Sequence, residues 1–254
     1  MARTHKKYTK VYTDGFRLTG HTMDIGDIGV SFAEAEGVAY NDAVVGAYPD
    51  QSTAIFGPLN GIFDNTATTG LHIVANGAAV ARDVMVAPGI LAVPAEGDGV
   101  FCGQLLQNAY QAQPTAGNLV SVNIPFGNWA LDATSLLYSE VWGHLAHEDS
   151  AETGVNSAVA VIDNAAQTTA GGYMMYQAFT SNGTVALKIQ DSSVNSDGNF
   201  GDLITSGDID ASAAATSGVV VLGKGATVER YIRWQIALNT ATTVTFALAF
   251  VRGS

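Results

Sequence analysis

The segment TVALKIQ, residues Thr184–Gln190, has a large apolar side chain at every second position. Val185, Leu187 and Ile189 fall on one face of an extended chain, and such alternation is typical of a half-buried β-strand. An Asn-Gly pair directly before the segment is typical of a tight hairpin turn. The sequence therefore predicts that a hairpin turn leads into a strand with one face in the core.

Short strand-like runs that end at turn residues recur along the whole chain. Helical patterns are sparse: Phe32–Gly46 could form a helix or a long β excursion, and Leu131–His147 has a weak helical pattern. We therefore expect an all-β protein with less than about a fifth of its residues in helices. The other predicted strands are Lys10–Tyr12, Gly29–Phe32, Thr53–Phe56, Leu71–Val74, Asp83–Val86, Val100–Leu106, Leu119–Ile124, Tyr173–Phe179, Gly218–Leu222, Arg230–Leu238 and Thr243–Val251.

A break in the pattern lies near the Pro-Phe-Gly-Asn sequence at residues 125–128. One series of strand-like runs ends just before it, and a second series follows and ends at Phe246–Arg252. A chain of 254 residues can form one large β domain or two small ones that share an interface. We predict two sub-domains: residues 1–128 form a β-barrel or sandwich with a basic N-terminal arm, and residues 129–254 form a second β-sandwich.

The composition indicates a protein that packs against copies of itself. Charged residues make up 13% of the chain, well below the roughly 25% typical of soluble domains. Hydrophobic residues make up 47%, which is enough for a well-formed core. Because monomeric proteins keep apart through interspersed surface charge, a poorly charged surface favours assembly into a homo-oligomer.

The charge is unevenly distributed along the chain, whose net charge is −12. Residues 18–163 contain 16 acidic residues and one base, Arg82, so this part of the protein would repel DNA. The excess indicates either a solvated acidic surface or the wall of a lumen through which DNA slides without binding. The basic N-terminal arm, either a frayed tail or a binding element, contains four of the 11 bases: Arg3, Lys6, Lys7 and Lys10.

No residue pattern predicts catalysis or a cofactor. His144 and His147 would share one face of a helix, but the spacing of the known zinc-protease motifs and a third ligand are both missing. The acidic segment Asp191–Asp202 departs from a calcium-binding EF-hand and is typical of a loop between two strands. Cys102, a lone cysteine in a strand-like run, is expected to be buried and inert. We therefore expect no enzyme activity, no catalytic residues, no cofactor and no bound metal.

The segment KVYTDGFRLTG, residues Lys10–Gly20, with Gly61–Thr66 and Gly70–His72 after it, resembles the opening of tail tube-like proteins from long-tailed bacteriophages. The resemblance implies a tail-tube-like first sub-domain, and hexameric rings whose β-barrels join into one inner wall and stack into a pipe that conducts DNA. The residues after about Trp129 would then be an outer module or belong to a different kind of virion protein. The second half is similar to β-sandwich modules of phage virion proteins in three segments: Ala186–Ser192, Asn199–Leu203 and Val228–Arg233.

Together these patterns predict a structural protein of a bacteriophage virion, with a tail tube subunit favoured. A head decoration or minor capsid protein is one alternative, because such proteins can share the tube-like fold. A carbohydrate-binding β-sandwich, such as an adhesin, is another, with Trp129, Trp142 and Trp234 as candidate sugar-binding aromatics. We expect assembly in the host cytoplasm, contacts with other virion proteins, passage of DNA without specific binding, and no membrane span.

Overall fold

The computed structural model describes residues 8–37, 46–66, 69–89, 92–114, 117–129, 138, 140–154 and 160–254. Within these ranges nearly all regular structure is antiparallel β-strand and one short α-helix is present, so the all-β prediction is confirmed. The elements are β1 (Thr9–Thr13), β2 (Phe16–Arg17), β3 (Thr22–Ile25), β4 (Ile28–Gly37), β5 (Gly46–Phe56), β6 (Leu59–Ile62), α1 (Leu71–Ala75), β7 (Val80–Pro88), β8 (Gly99–Gln107), β9 (Gln111–Gln113), β10 (Ser121–Ile124), β11 (Phe126–Trp129), β12 (Trp142–Glu152), β13 (Ile162–Asp163), β14 (Gly172–Ser181), β15 (Thr184–Ser192), β16 (Gly201–Asp210), β17 (Thr216–Leu222), β18 (Tyr231–Leu238) and β19 (Val244–Arg252).

One long sheet organises the described chain. Its strands follow the order β17-β14-β19-β12-β8-β7-β1-β2, and β11 pairs with β8 as a side branch. The sheet contains strands from both sides of residue 128, which meet where Trp142 of β12 pairs with Phe101 of β8. Continuous backbone hydrogen bonding therefore joins the two halves of the chain. That residues 1–128 and 129–254 form two sub-domains stays a prediction.

The long sheet curls until its two ends touch. The turn between β1 and β2 has left-handed backbone at Asp14 and Gly15, with φ of 51° and 80°, as the primed turns of hairpins require. A Cβ atom added to Gly15 would lie 2.6 Å from the backbone nitrogen of Thr216 in β17. Glycine at position 15 therefore allows the two ends of the sheet to approach this closely.

Hydrogen bonds between buried polar groups join the two ends of the sheet. We call this set of groups the seam; it consists of Gly15, Asp83, Gln177 and Ser217. Gln177 of β14 is fully buried; its Oε1 accepts a hydrogen bond from the Gly15 amide at 2.6 Å. Its Nε2 donates to the Asp83 carbonyl at 3.0 Å. The Asp83 carboxylate accepts hydrogen bonds from Ser217 of β17 at 2.7 Å and from Gln104 of β8 at 3.0 Å. The seam therefore joins strands from opposite ends of the sheet.

Apolar side chains fill the inside of the curl. Tyr12 of β1 and Phe179 of β14 meet there with ring centroids 5.4 Å apart, and Met175 is fully buried beside them. Cys102 lies in the same core, and its complete burial raises the pKa of the thiol well above its usual range. A thiol held in this protonated state is a poor nucleophile, as expected for an inert cysteine.

Two smaller sheets cover the outside of the curl. The sheet β3-β6-β10-β9, with the hairpin β4–β5 and helix α1, packs on the strands of the first half. The sheet β13-β18-β15-β16 packs on the strands of the second half and buries Val185, Leu187 and Ile189, as their alternation predicts. Strand β14 therefore has two apolar faces: Met175 points into the curl, whereas Met174 packs against the second outer sheet.

The strand predicted at Leu71–Val74 is wrong, because these residues belong to α1. Leu71, Val74 and Ala75 are the buried residues of this helix, and their spacing matches one helical face. Gly70 precedes the helix in an extended conformation. Four apolar or weakly polar residues in a row fit a strand or one helical turn equally well, so the local sequence did not distinguish them.

The helical pattern at Leu131–His147 is wrong for its last six residues, which lie in strand β12. Strand β12 pairs with β8 on one side and β19 on the other, and this pairing overrides a weak helical propensity. Residues 131–137 lie outside the described residues. For Phe32–Gly46 the β alternative holds, because β4 and β5 pair as a hairpin up to residues 37 and 46.

We predict that replacing Gln177 with leucine lowers the free energy of unfolding by about 1–3 kcal/mol, because the Gly15 amide and the Asp83 carbonyl lose buried hydrogen-bond partners. Equilibrium denaturation with urea would measure the loss. The matched control is Gln113→Leu in the exposed strand β9, which should leave stability nearly unchanged. Equal stability of the Gln177→Leu and wild-type chains would show that the seam does not hold the sheet closed.

Candidate functional site

The structure separates the two histidines that a metal site would need. Both lie in strand β12, with a bulge in the pairing between Leu145 and His147. The Nδ1 atom of His144 lies 3.1 Å from the Gly97 carbonyl oxygen, whereas His147 is buried between the long sheet and an outer sheet. Within the described ranges, no three His, Cys, Asp or Glu side chains cluster as metal ligands would. That the protein binds no metal or cofactor stays a prediction.

His147 lies in an aromatic cluster, and its ring also contacts a serine and a carboxylate, the residue types of a catalytic triad. Its ring stacks on Phe246 with centroids 3.9 Å apart and meets Trp234 edge-on at 4.4 Å. The Nδ1 atom lies 3.0 Å from the Phe246 carbonyl oxygen, and Nε2 lies 3.3 Å from Ser150 Oγ and 3.2 Å from Glu152 Oε1. In a catalytic triad the carboxylate binds the nitrogen opposite the serine, but here both contact Nε2. With His147 only 1% exposed, the cluster is a packing junction.

Trp234 connects this junction to Glu96. Its indole Nε1 donates a hydrogen bond to Glu96 Oε1 at 2.7 Å. Partial burial raises the pKa of the Glu96 carboxyl, and the indole hydrogen bond and the nearby His147 offset only part of this rise. Glu96 therefore resists ionisation more in the folded chain than in the unfolded chain.

The raised pKa of Glu96 fixes the direction in which its contribution to folding stability changes with pH. Below the unfolded pKa the glutamic acid is protonated in both states, and stability is lost as pH rises through the higher folded pKa. Glu96→Gln keeps an acceptor for the Trp234 indole. We predict that this variant gains stability relative to wild type as pH rises from the unfolded pKa of Glu96 to its folded pKa. Urea denaturation at a series of pH values would measure the difference. Glu34→Gln, on an exposed side chain of β4, is the control, and an identical pH profile for both variants would contradict the prediction.

The acidic segment Asp191–Asp202 links β15 to β16 through a short 3₁₀ turn, as expected for an inter-strand loop. Its carboxylates have partners within the protein. Asp197 pairs with Arg233, and Asp202 accepts a hydrogen bond from Lys188 at 2.6 Å. Asp191 accepts a hydrogen bond from a backbone amide at 2.8 Å. The loop carboxylates therefore stabilise the outer sheet and its hairpin.

The acids of residues 18–163 have different environments. Asp83 is buried in the seam, where its carboxylate accepts a hydrogen bond from Ser217. Others are exposed, including Asp27, Glu34 and Glu148. Several more bond to groups of the same chain: Asp64 with His21, Asp149 with Arg17, Asp163 with Arg230, and Glu140 with Ser254. A lumen lined by the exposed acids stays a prediction.

The tryptophans proposed for sugar binding differ in exposure. Trp234 is 2% exposed and belongs to the core, whereas Trp142 is 46% exposed and meets Phe101 edge-on at 5.9 Å. The side chain of Trp129 lies outside the described part of the chain. None of the described helices has the length and apolar character of a membrane span.

The hairpin β4–β5 is exposed along part of its length. Near its base Ala54 and Phe56 are buried in the first outer layer, where the Phe56 ring lies 4.9 Å from that of Phe126. Further out, residues 31–34 are all exposed, so both faces of the ribbon meet solvent. Phe32 is 49% exposed and Ile55 is 39% exposed. The hairpin therefore carries apolar side chains away from the core.

An apolar groove of about 390 Å³ lies where the long sheet and the first outer sheet diverge. Its lining comes from β1, β3, β7 and the start of β4, and includes Val11, Ile25, Ile28, Val86 and Pro88. At its rim, Met23 is 57% exposed. No local sequence pattern indicates this groove, because its walls belong to strands of different sheets that are up to 79 residues apart in the chain (Thr9 to Pro88).

No protein-family model and no curated protein sequence matches the chain. Among solved structures the chain is similar to the Dit protein of phage SPP1, described as a hub of the adsorption apparatus in phages that infect Gram-positive bacteria. The sequences are 10% identical, the TM-score is 0.32, and the match covers 97% of this chain and 99% of the Dit chain.

Proposed function

We propose that the chain is a structural subunit of a bacteriophage virion, and specifically a tail tube subunit that forms stacked rings around a DNA passage. The observation that carries the proposal is the hairpin β4–β5, whose exposed apolar side chains extend from a chain with only 13% charged residues. A ribbon of two strands is at best marginally stable in water without a further packing partner. Neighbouring subunits in an assembly would provide that partner.

The curled sheet supports the proposal because a stacked tube needs a subunit that keeps its shape under contact. Three apolar cores lie in and around the sheet, and the seam holds its ends together. The resemblance of Lys10–Gly20 to tail tube-like proteins implies that such a sheet joins those of its neighbours in one inner wall. This ring geometry, hexameric by the same resemblance, is part of the proposal.

The negative charge of the chain supports the passage of DNA without specific binding. The net charge is −12, and residues 18–163 hold one base among 16 acids. Exposed carboxylates repel phosphate, so DNA would move past them without lodging. The proposal assigns the protein no catalysis and no cofactor. A head decoration or minor capsid role would use the same exposed hairpin at a different place in the particle.

We predict that gold-labelled antibodies against this chain bind along the tails of the phage that encodes it. Electron microscopy of purified, partially disassembled particles would show the labels, with preimmune antibodies as the control. Label confined to the head would replace the tail tube by the decoration role. Particles that contain no copy of the chain by mass spectrometry would reject the virion assignment, and a carbohydrate-binding role centred on the exposed Trp142 would then be tested on glycan arrays.

A further inference from the structure

Phe32 continues an apolar row that is otherwise packed against the protein. Ile28, Val30 and Phe32 occupy alternate positions of β4 and therefore share one face of the hairpin. Ile28 and Val30 pack against the core of the first outer layer, whereas Phe32 is 49% exposed. A half-exposed phenylalanine at the end of such a row is a typical anchor for a protein contact.

The apolar groove between β1, β3 and β7 offers a site of suitable character for an aromatic side chain. Its volume of about 390 Å³ is within the range of pockets that bind ligands, and its lining is mostly apolar, with Asp24 as the charged member. The hairpin cannot fill the groove of its own chain. Ile28 lines the groove, and Phe32 lies four residues further along the strand, at a distance of about 13 Å.

The segments next to Phe32 and next to the groove in the sequence carry opposite charges. Glu34, two residues after Phe32, is exposed, and residues 33–50 contain four acids and no base: Glu34, Glu36, Asp42 and Asp50. The residues that lead into the groove-lining Thr9 contain bases and no acid: Arg3, Lys6 and Lys7. Opposite charge in these two segments favours the approach of a hairpin to a groove on another copy, while Asp24 in the groove and Asp27 beside its lining oppose that approach.

We propose that Phe32 of one subunit inserts into the β1–β3–β7 groove of the next subunit. The contact is heterologous, because a projection on one surface binds a different surface of an identical chain, and it therefore extends into a ring or a filament. This inference rests on the proposed function, since it names the contact through which the proposed structural subunit assembles.

Two variants test the contact: one lacks the inserting side chain, and the other lacks an open groove. Phe32→Asp removes the inserting ring and keeps the groove, whereas Thr9→Trp fills the groove and keeps Phe32. We expect the wild-type chain to form species larger than a dimer, and each variant alone to associate roughly tenfold or more weakly. An equimolar mixture of the two variants should form heterodimers and stop there, because only one productive contact remains. Analytical ultracentrifugation would measure all four samples.

Val194→Asp, at a loop residue that is 54% exposed and distant in sequence, is the matched control and should assemble like wild type. Circular dichroism and thermal unfolding would show that each variant is folded. If Thr9→Trp does not fold, Met23→Asp at the exposed groove rim replaces it. Wild-type assembly by the Phe32→Asp chain, or no heterodimer in the mixture, would overturn the contact and leave the virion assignment standing. A monomeric wild-type chain would also overturn it, whereas antibody labelling of particles tests the virion assignment separately.

Discussion

The side chain of Gln177 closes the long sheet through two buried hydrogen bonds. Backbone pairing alone would give a long, twisted sheet with two open ends, and both ends would expose unpaired amides and carbonyls. The Gln177 side chain links the β1–β2 turn to β14 and satisfies the Gly15 amide and the Asp83 carbonyl at once. Because the ends are joined, the inner face becomes a closed core that contains Tyr12, Met175 and Phe179.

A closed inner core leaves the outer face of the sheet to be covered by separate layers. Each half of the chain supplies one layer, and the first layer is extended by the hairpin β4–β5. Its base is anchored by Phe56, and residues 31–34 of β4 are exposed. A rigid body with a projecting ribbon and a groove is suited to repeated contacts with identical copies, which is why we infer a structural role.

The amino-acid sequence predicted the fold class because alternation is a local property: Val185, Leu187 and Ile189 are buried as their spacing requires. It failed at Leu71–Val74, where one turn of helix and a short strand have the same pattern. The seam and the groove could not be predicted, since they depend on which strands become neighbours. Gln177 and Gly15 are 162 residues apart, and a buried glutamine gives no sign of its partner in the local sequence.

Hydrogen–deuterium exchange on the assembled wild-type chain and on the Phe32→Asp chain tests both the closed sheet and the assembly, because it measures protection of the seam and of the hairpin together. We expect the Gly15 amide to exchange as slowly as the amides of β14 and β19 in both samples. We also expect the amides of β4 and β5 to exchange faster in the variant than in the assembly. Rapid exchange at Gly15, or equal exchange of the hairpin in both samples, would contradict a closed sheet that assembles through its projecting hairpin.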